Sequence, residues 1–134
     1  MEMITAGLGD ILGKYTCLLD WKMAHIITGE YYCSHIADMV KEAVEIVVEE
    51  STRIKDRNPD AVKAVTEALV LSGIAMSFVG NSRPASGSEH HLSHYWEMKF
   101  QAEGKKPILH GIKVGIGMIA VTKMYETLEN EQFD

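Results

Sequence analysis

Asn58-Pro59-Asp60-Ala61-Val62-Lys63-Ala64-Val65-Thr66-Glu67-Ala68-Leu69-Val70-Leu71-Ser72-Gly73-Ile74-Ala75-Met76-Ser77-Phe78-Val79 decides the fold class of this chain. An asparagine followed by proline is a helix start, because the side chain caps the first free amides and proline is tolerated at the first helical position. Beyond it Val62, Val65, Leu69, Leu71, Ile74, Met76 and Phe78 follow neither the two-residue alternation of a strand nor the single stripe of a surface helix. They lie on nearly all sides of a helix over 61–79, which predicts a central core helix covered by its neighbours.

Working toward the N-terminus, the charged stretch 53–59 links this helix to one whose inward face carries Ile36, Val40, Val44 and Val47. Lys41, Glu42, Glu45, Glu49 and Glu50 occupy the opposite face, and Ser34 is the expected N-cap. Before it, Leu8, Ile11, Leu12, Tyr15, Leu18, Leu19 and Met23 form a helical stripe over 4–27, closed by Gly29 as a C-cap. The two make an αα-hairpin. Toward the C-terminus, residues 80–89 are dense in turn formers, a fourth helix starts near Ser88, a second loop covers 102–107, and a fifth helix runs over 110–128. No useful strand alternation or internal repeat is present. The expectation is an all-α helical bundle in one domain, 1–134.

Composition narrows the function. The 134 residues are 46% hydrophobic and 24% charged, as in ordinary globular proteins. The net charge is −6, with acidic residues concentrated at 42–50 and 126–134, so no basic stripe exists for nucleic acid. Cys17 and Cys33 stand sixteen positions apart without a paired motif, which fits a reducing compartment. Asp10 and Lys14 interrupt the first apolar run, ruling out a signal-peptide pattern there, and 108–121 contains His110 and Lys113 and is short for a span. A cytoplasmic protein without membrane insertion is expected.

Chemistry concentrates in the histidines. His90 and His94, four apart, share a helix face; His91 and His94, three apart, share one in another register; His110 follows within twenty-one residues of His90. Imidazole is a common ligand of zinc and related ions, and three protein ligands leave a catalytic site open. Spacing alone leaves metal binding, an acid–base role and a polar helix end as alternatives. Asp10, between Gly9 and Ile11 in an apolar helix, is a cap, a surface residue or a charge compensated by a metal. His110 either caps a tightly packed helix or serves a site, and Gly111, Gly115 and Gly117 suggest close backbone packing or ligand approach.

Three strings occurring in order, Gly7-Leu8-Gly9-Asp10, then Ser82-Arg83-Pro84-Ala85-Ser86-Gly87-Ser88-Glu89-His90-His91-Leu92-Ser93-His94, then Leu109-His110-Gly111-Ile112-Lys113-Val114-Gly115, resemble those of glycerol-1-phosphate dehydrogenases. These belong to the superfamily of iron-containing alcohol dehydrogenases, glycerol dehydrogenases and dehydroquinate synthases. The likeness covers nearly the whole chain. It implies the C-terminal helical domain of such an enzyme, with a divalent metal (zinc or nickel) held by Asp10, His90 and His110. It further implies that His94 lines the substrate pocket as a catalytic residue, and that Ser86 and Ser88 help orient a phosphorylated polyol. The glycerol dehydrogenase form of the motif would select His91 instead; the Ser-Glu-His-x-x-Ser-His form favours His90. The implied reaction is hydride transfer between NAD(P)H and dihydroxyacetone phosphate, giving sn-glycerol 1-phosphate for phospholipid metabolism.

Family members carry an N-terminal α/β domain for the dinucleotide, and no glycine-rich loop following a strand stands in these 134 residues. The expectation is therefore a fragment that holds metal and substrate, with NAD(P) bound only when the missing domain is supplied. A second expectation is a free-standing metal-binding module that self-associates, as a homo-oligomer, through an exposed former domain interface. A metal-assisted hydrolase ranks last, because only Glu89 and His94 offer a general base.

Overall fold

The computed structural model describes residues 2–129, so the end of the acidic tail lies outside it. Six helices follow one another: α1 (Glu2–Leu12), α2 (Lys14–Thr28), α3 (Ser34–Ile54), α4 (Pro59–Val79), α5 (Ser88–Ala102) and α6 (His110–Glu129). No strand occurs among the described residues, and the fold is all-α as the patterning requires.

The single helix expected over 4–27 is divided at Gly13 into α1 and α2. Hydrogen bonds from Gly13 N to Gly9 O (3.2 Å) and from Cys17 N to Gly13 O (3.1 Å) cross the break, so only one residue leaves the helix. Packing leaves little room for a side chain here: a Cβ at this position would stand 2.7 Å from Val114 Cγ1 and 3.1 Å from Glu89 Cγ.

Caps follow local chemistry at three ends. Asn58 Oδ1 accepts from Asp60 N (2.9 Å) and Ala61 N (3.4 Å), with Pro59 opening α4. Gly29 and Gly80 close α2 and α4 in the left-handed region, at φ 74° and 78°, where a side chain would be strained. Ser34 differs from expectation: it is the first residue of α3, and Cys33 occupies the cap position without a side-chain hydrogen bond.

The apolar core lies where α1, α3 and α4 meet, built from Ile11, Val44, Val47, Ile54, Ala61, Val65 and Ala68, with Ile4, Leu8, Ala43 and Ala64 packed against it. Each large aliphatic side chain here contributes about 1.5–3 kcal/mol on burial. The expected central role of the 61–79 helix is not what the structure shows. Only the α4 face bearing Ala61, Val65, Ala68, Ser72 and Ala75 is buried, whereas Phe78 is 70% and Val70 59% exposed. By length and composition alone α4 could also cross a membrane; its small-residue face packs on α1 and α3. α1 and α2 each touch four other helices, whereas α4 touches only α1 and α3 among the described residues. Apolarity on all sides does not reveal which side finds a neighbour.

Candidate metal centre

The site begins with the close crossing of α1 and α6. A Cβ on Gly9 would collide with the Gly111 carbonyl oxygen, one on Gly111 with the Ala6 carbonyl, and one on Gly115 would reach Gly9 Cα at 3.2 Å. Glycine at these positions allows the two backbones to touch. Because Asp10 follows Gly9 and His110 precedes Gly111, the same contact carries the carboxylate and the imidazole to one point. The third helix, α5, is held against α6 by Gly117, where a Cβ would stand 2.7 Å from Glu89 O. That contact sets His90, the next residue, beside the other two.

Asp10, His90 and His110 accordingly form a set whose potential donor atoms all lie within 4.8 Å of one another. His90 Nε2 stands 3.3 Å and His110 Nε2 3.9 Å from Asp10 Oδ1. The two imidazole rings are 5.1 Å apart between centroids. Two nitrogens and one carboxylate oxygen converging in this way are a donor set that could hold a divalent metal ion with positions left open.

The atoms facing away from this point are also engaged. Lys14 Nζ donates to Asp10 Oδ2 (3.0 Å) and to Ala85 O (2.8 Å), and is itself buried. Glu89 Oε1 is 2.8 Å from His90 Nδ1 and accepts from Gly87 N at 2.8 Å, while Thr16 Oγ1 donates to Glu89 Oε2 at 2.7 Å. Glu97 Oε1 lies 2.9 Å from His110 Nδ1 and 3.1 Å from Lys113 Nζ, which also donates to Ile108 O at 2.6 Å. Asp20 completes the start of α5: its carboxylate accepts from Ser88 N (2.6 Å) and from the Tyr125 hydroxyl. These amides at the α5 N-terminus are thus met by carboxylates, the sign its dipole favours.

Electrostatics follow from the contacts. Burial pushes the Asp10 carboxyl up, but the His90 hydrogen bond and the Lys14 ammonium outweigh it and bring its pKa to about 2. Burial likewise opposes ionisation of Glu89, and the hydrogen bonds from His90, Thr16 and the Gly87 amide hold it below the ordinary range. For His90, burial disfavours the charged ring, yet Asp10 and Glu89 raise its pKa. Burial pushes the Cys17 thiol far up, leaving it an inert part of the packing.

The two adjacent histidines point to different places. His90 is buried beside Asp10; His91 is exposed on another face, lining a groove with Ser88, Leu92, Val121, Met124 and Tyr125. His94 is exposed and stacks on His110 with centroids 5.5 Å apart. With Glu97 and His110 it forms a second, outer group of close donor atoms. Ser88 shares the His91 groove, two residues and so about 200° around the helix from His90. Ser86 is half-buried in the turn before α5, its amide bonded to Ser82 O at 2.9 Å.

Lys14 and Glu97 escaped the reading of the sequence. Both were signalled by spacing: Lys14 stands four residues after Asp10, and Glu97 seven after His90 and three after His94, on one helical face. What no spacing shows is that Glu97 meets a histidine from a different helix.

No protein-family model matches the sequence. Curated proteins do. The chain is 44% identical to a glycerol-1-phosphate dehydrogenase of Halalkalibacterium halodurans over 125 residues, which are 93% of this chain and 31% of that protein. It is 42% identical to the enzyme of the same name from Bacillus licheniformis, covering 95% of this chain and 32% of the relative. An archaeal relative of that name, from Staphylothermus marinus, is also 42% identical, across 92% of this chain and 34% of its own length. All three names specify NAD(P)+. The chain spans about a third of the length of the curated relatives it matches.

Proposed function

We propose, from the premise that over its matched residues this chain belongs to the glycerol-1-phosphate dehydrogenase family, that it forms the metal- and substrate-holding part of an NAD(P)-dependent enzyme. The substrate pair is dihydroxyacetone phosphate and sn-glycerol 1-phosphate. The observation that carries this reading is the convergence of Asp10, His90 and His110 from three helices, with their inward atoms within 4.8 Å.

In this reading Asp10 Oδ1 and the Nε2 atoms of His90 and His110 hold a divalent ion, zinc or nickel. When bound, the ion acts as a Lewis acid toward the oxygens of a polyol substrate. The chain's own residues do the rest. Glycine contacts between α1 and α6 keep the donor set in place before substrate arrives. His94, exposed beside His110, lines the open side, where an incoming hydroxyl or phosphate meets a ring able to donate or accept a proton. Ser86, half-buried in the turn before α5, is assigned to the loop end of the substrate region, whereas Ser88 lies in the His91 groove, away from the donor set, and is not given that role. Hydride transfer requires a dinucleotide, which the remaining two thirds of the relatives' length is proposed to bind.

A second reading, a metal-binding module that self-associates without redox activity, is favoured by the exposed apolar residues of α2 and α6. Ile26 and Ile27 are 71% and 78% exposed, and Ile116 and Ile119 54% and 57%. Oxidation of NAD(P)H with dihydroxyacetone phosphate, assayed with and without a dinucleotide domain from a relative, separates the two. Turnover only in the complemented sample supports the first; none in either supports the second. The ligand set is tested by metal content of wild type and of Asp10→Ala, His90→Ala, His110→Ala and His91→Ala. The first three variants are expected to lose the ion and the fourth to retain it, and full retention in all four discards the assignment.

A further inference from the structure

A histidine presents Nε2 as a lone pair only when the proton of the neutral ring sits on Nδ1, and the partner of Nδ1 decides this. In both histidines of the inner set Nδ1 faces a carboxylate: Glu89 Oε1 at 2.8 Å from His90, and Glu97 Oε1 at 2.9 Å from His110. Neither carboxylate is free to turn away. Glu89 is wholly buried and bound by Thr16 Oγ1 and Gly87 N; Glu97 is tied to Lys113, whose ammonium is in turn fixed on Ile108 O. The third member is treated alike, since Lys14 occupies Asp10 Oδ2 and leaves Oδ1 for the inner point.

We propose that Glu89 and Glu97 are positioning residues that set the tautomer and ring orientation of His90 and His110, and that Lys14 orients Asp10 to present one oxygen. The inference rests on the metal reading above and extends it to residues that touch no ion. The two glutamates are not equivalent. Glu89 is sealed from water, so nothing replaces it when it is removed. Glu97 is 37% exposed, and Ser93 Oγ, 3.3 Å from His110 Nδ1, offers a weaker substitute. Loss of Glu97 therefore weakens the site without unfolding it, which makes Glu97 the informative position.

The experiment uses the full chain and zinc alone. Affinity is measured by competition with a chromophoric chelator for wild type, Glu97→Gln, Glu97→Ala, Asp10→Ala and His90→Ala. Ring-nitrogen NMR of the metal-free proteins reads the His110 tautomer. Outer partners of metal-bound histidines change affinity by roughly 10–100-fold. Glu97→Ala is expected near that range, Glu97→Gln closer to wild type because an acceptor oxygen remains, and the Nδ1-protonated form of His110 should decline in the alanine variant. A residue that served only packing would leave the tautomer unmoved. One zinc in wild type with equal affinity and tautomer in both Glu97 variants overturns the positioning role alone. Zinc retained in Asp10→Ala and His90→Ala but lost in Glu97→Ala places the ion in the outer His94–Glu97–His110 group and overturns it too. Wild type that takes up no zinc instead overturns the ligand set on which the inference rests.

Discussion

Gly111 and Gly73 are both helical glycines, and the space around each gives them opposite consequences. A Cβ on Gly111 meets the Ala6 backbone, which cannot swing aside as a side chain would; one on Gly73 meets nothing within 4 Å. Alanine in a helix is worth about 0.5–1 kcal/mol over glycine. Gly73→Ala is therefore expected to raise stability by about that much, read as a higher urea midpoint. Gly111→Ala is expected to lower stability by about 2 kcal/mol, since overpacking a tight contact costs roughly 1–3 kcal/mol or more. It should also separate Asp10 from His110 and reduce zinc uptake. Equal midpoints for the two variants would show that the crossing is looser than the structure has it. The run of glycines announced some close approach; which backbone approaches is absent from any local pattern.

Between elements, ends and links carry the expectations. The Asn58 cap satisfies two amides of α4, and Asn58→Ala should cost about 1 kcal/mol, read as a lower urea midpoint. Arg83, in the loop before α5, clasps Glu30, after α2, through two bonds of 2.7 and 2.6 Å. The Arg83 guanidinium holds the Glu30 carboxyl below its ordinary value. A depressed carboxylate stabilises the fold above its unfolded pKa and loses that contribution as pH falls through its folded one. The acid side of the stability profile should thus steepen below the usual glutamate range and flatten in Glu30→Gln, with no difference near neutrality beyond a constant offset. A profile unchanged in shape by the substitution would remove the pair from the acid response. The cap was legible because it is built from neighbours in sequence. The clasp was not, because its partners are far apart along the chain.

At the scale of the molecule, the candidate centre draws one residue from each of α1, α5 and α6. A ligand that binds only the folded state stabilises it by about 2.7 kcal/mol at a hundredfold excess over Kd. Zinc or nickel should accordingly raise the thermal midpoint of wild type and of His91→Ala, and a chelator should reverse the gain. Asp10→Ala should show neither effect; a midpoint indifferent to metal in wild type would detach the site from the fold's stability. Local order was written into the chain: helix periodicity, the Asn58-Pro59 start, the closing glycines and the spaced histidines follow from neighbours three to four residues apart, which interact in any context. The tertiary structure alone decided that α4 is covered on one face only, that Gly13 lies against Val114 and Glu89, and that Glu97 meets His110; it also set His90 beside Asp10, the histidine that the motif had favoured. Each depends on which surfaces touch, and touching is settled by the packing of distant segments, not by the pattern within any one of them.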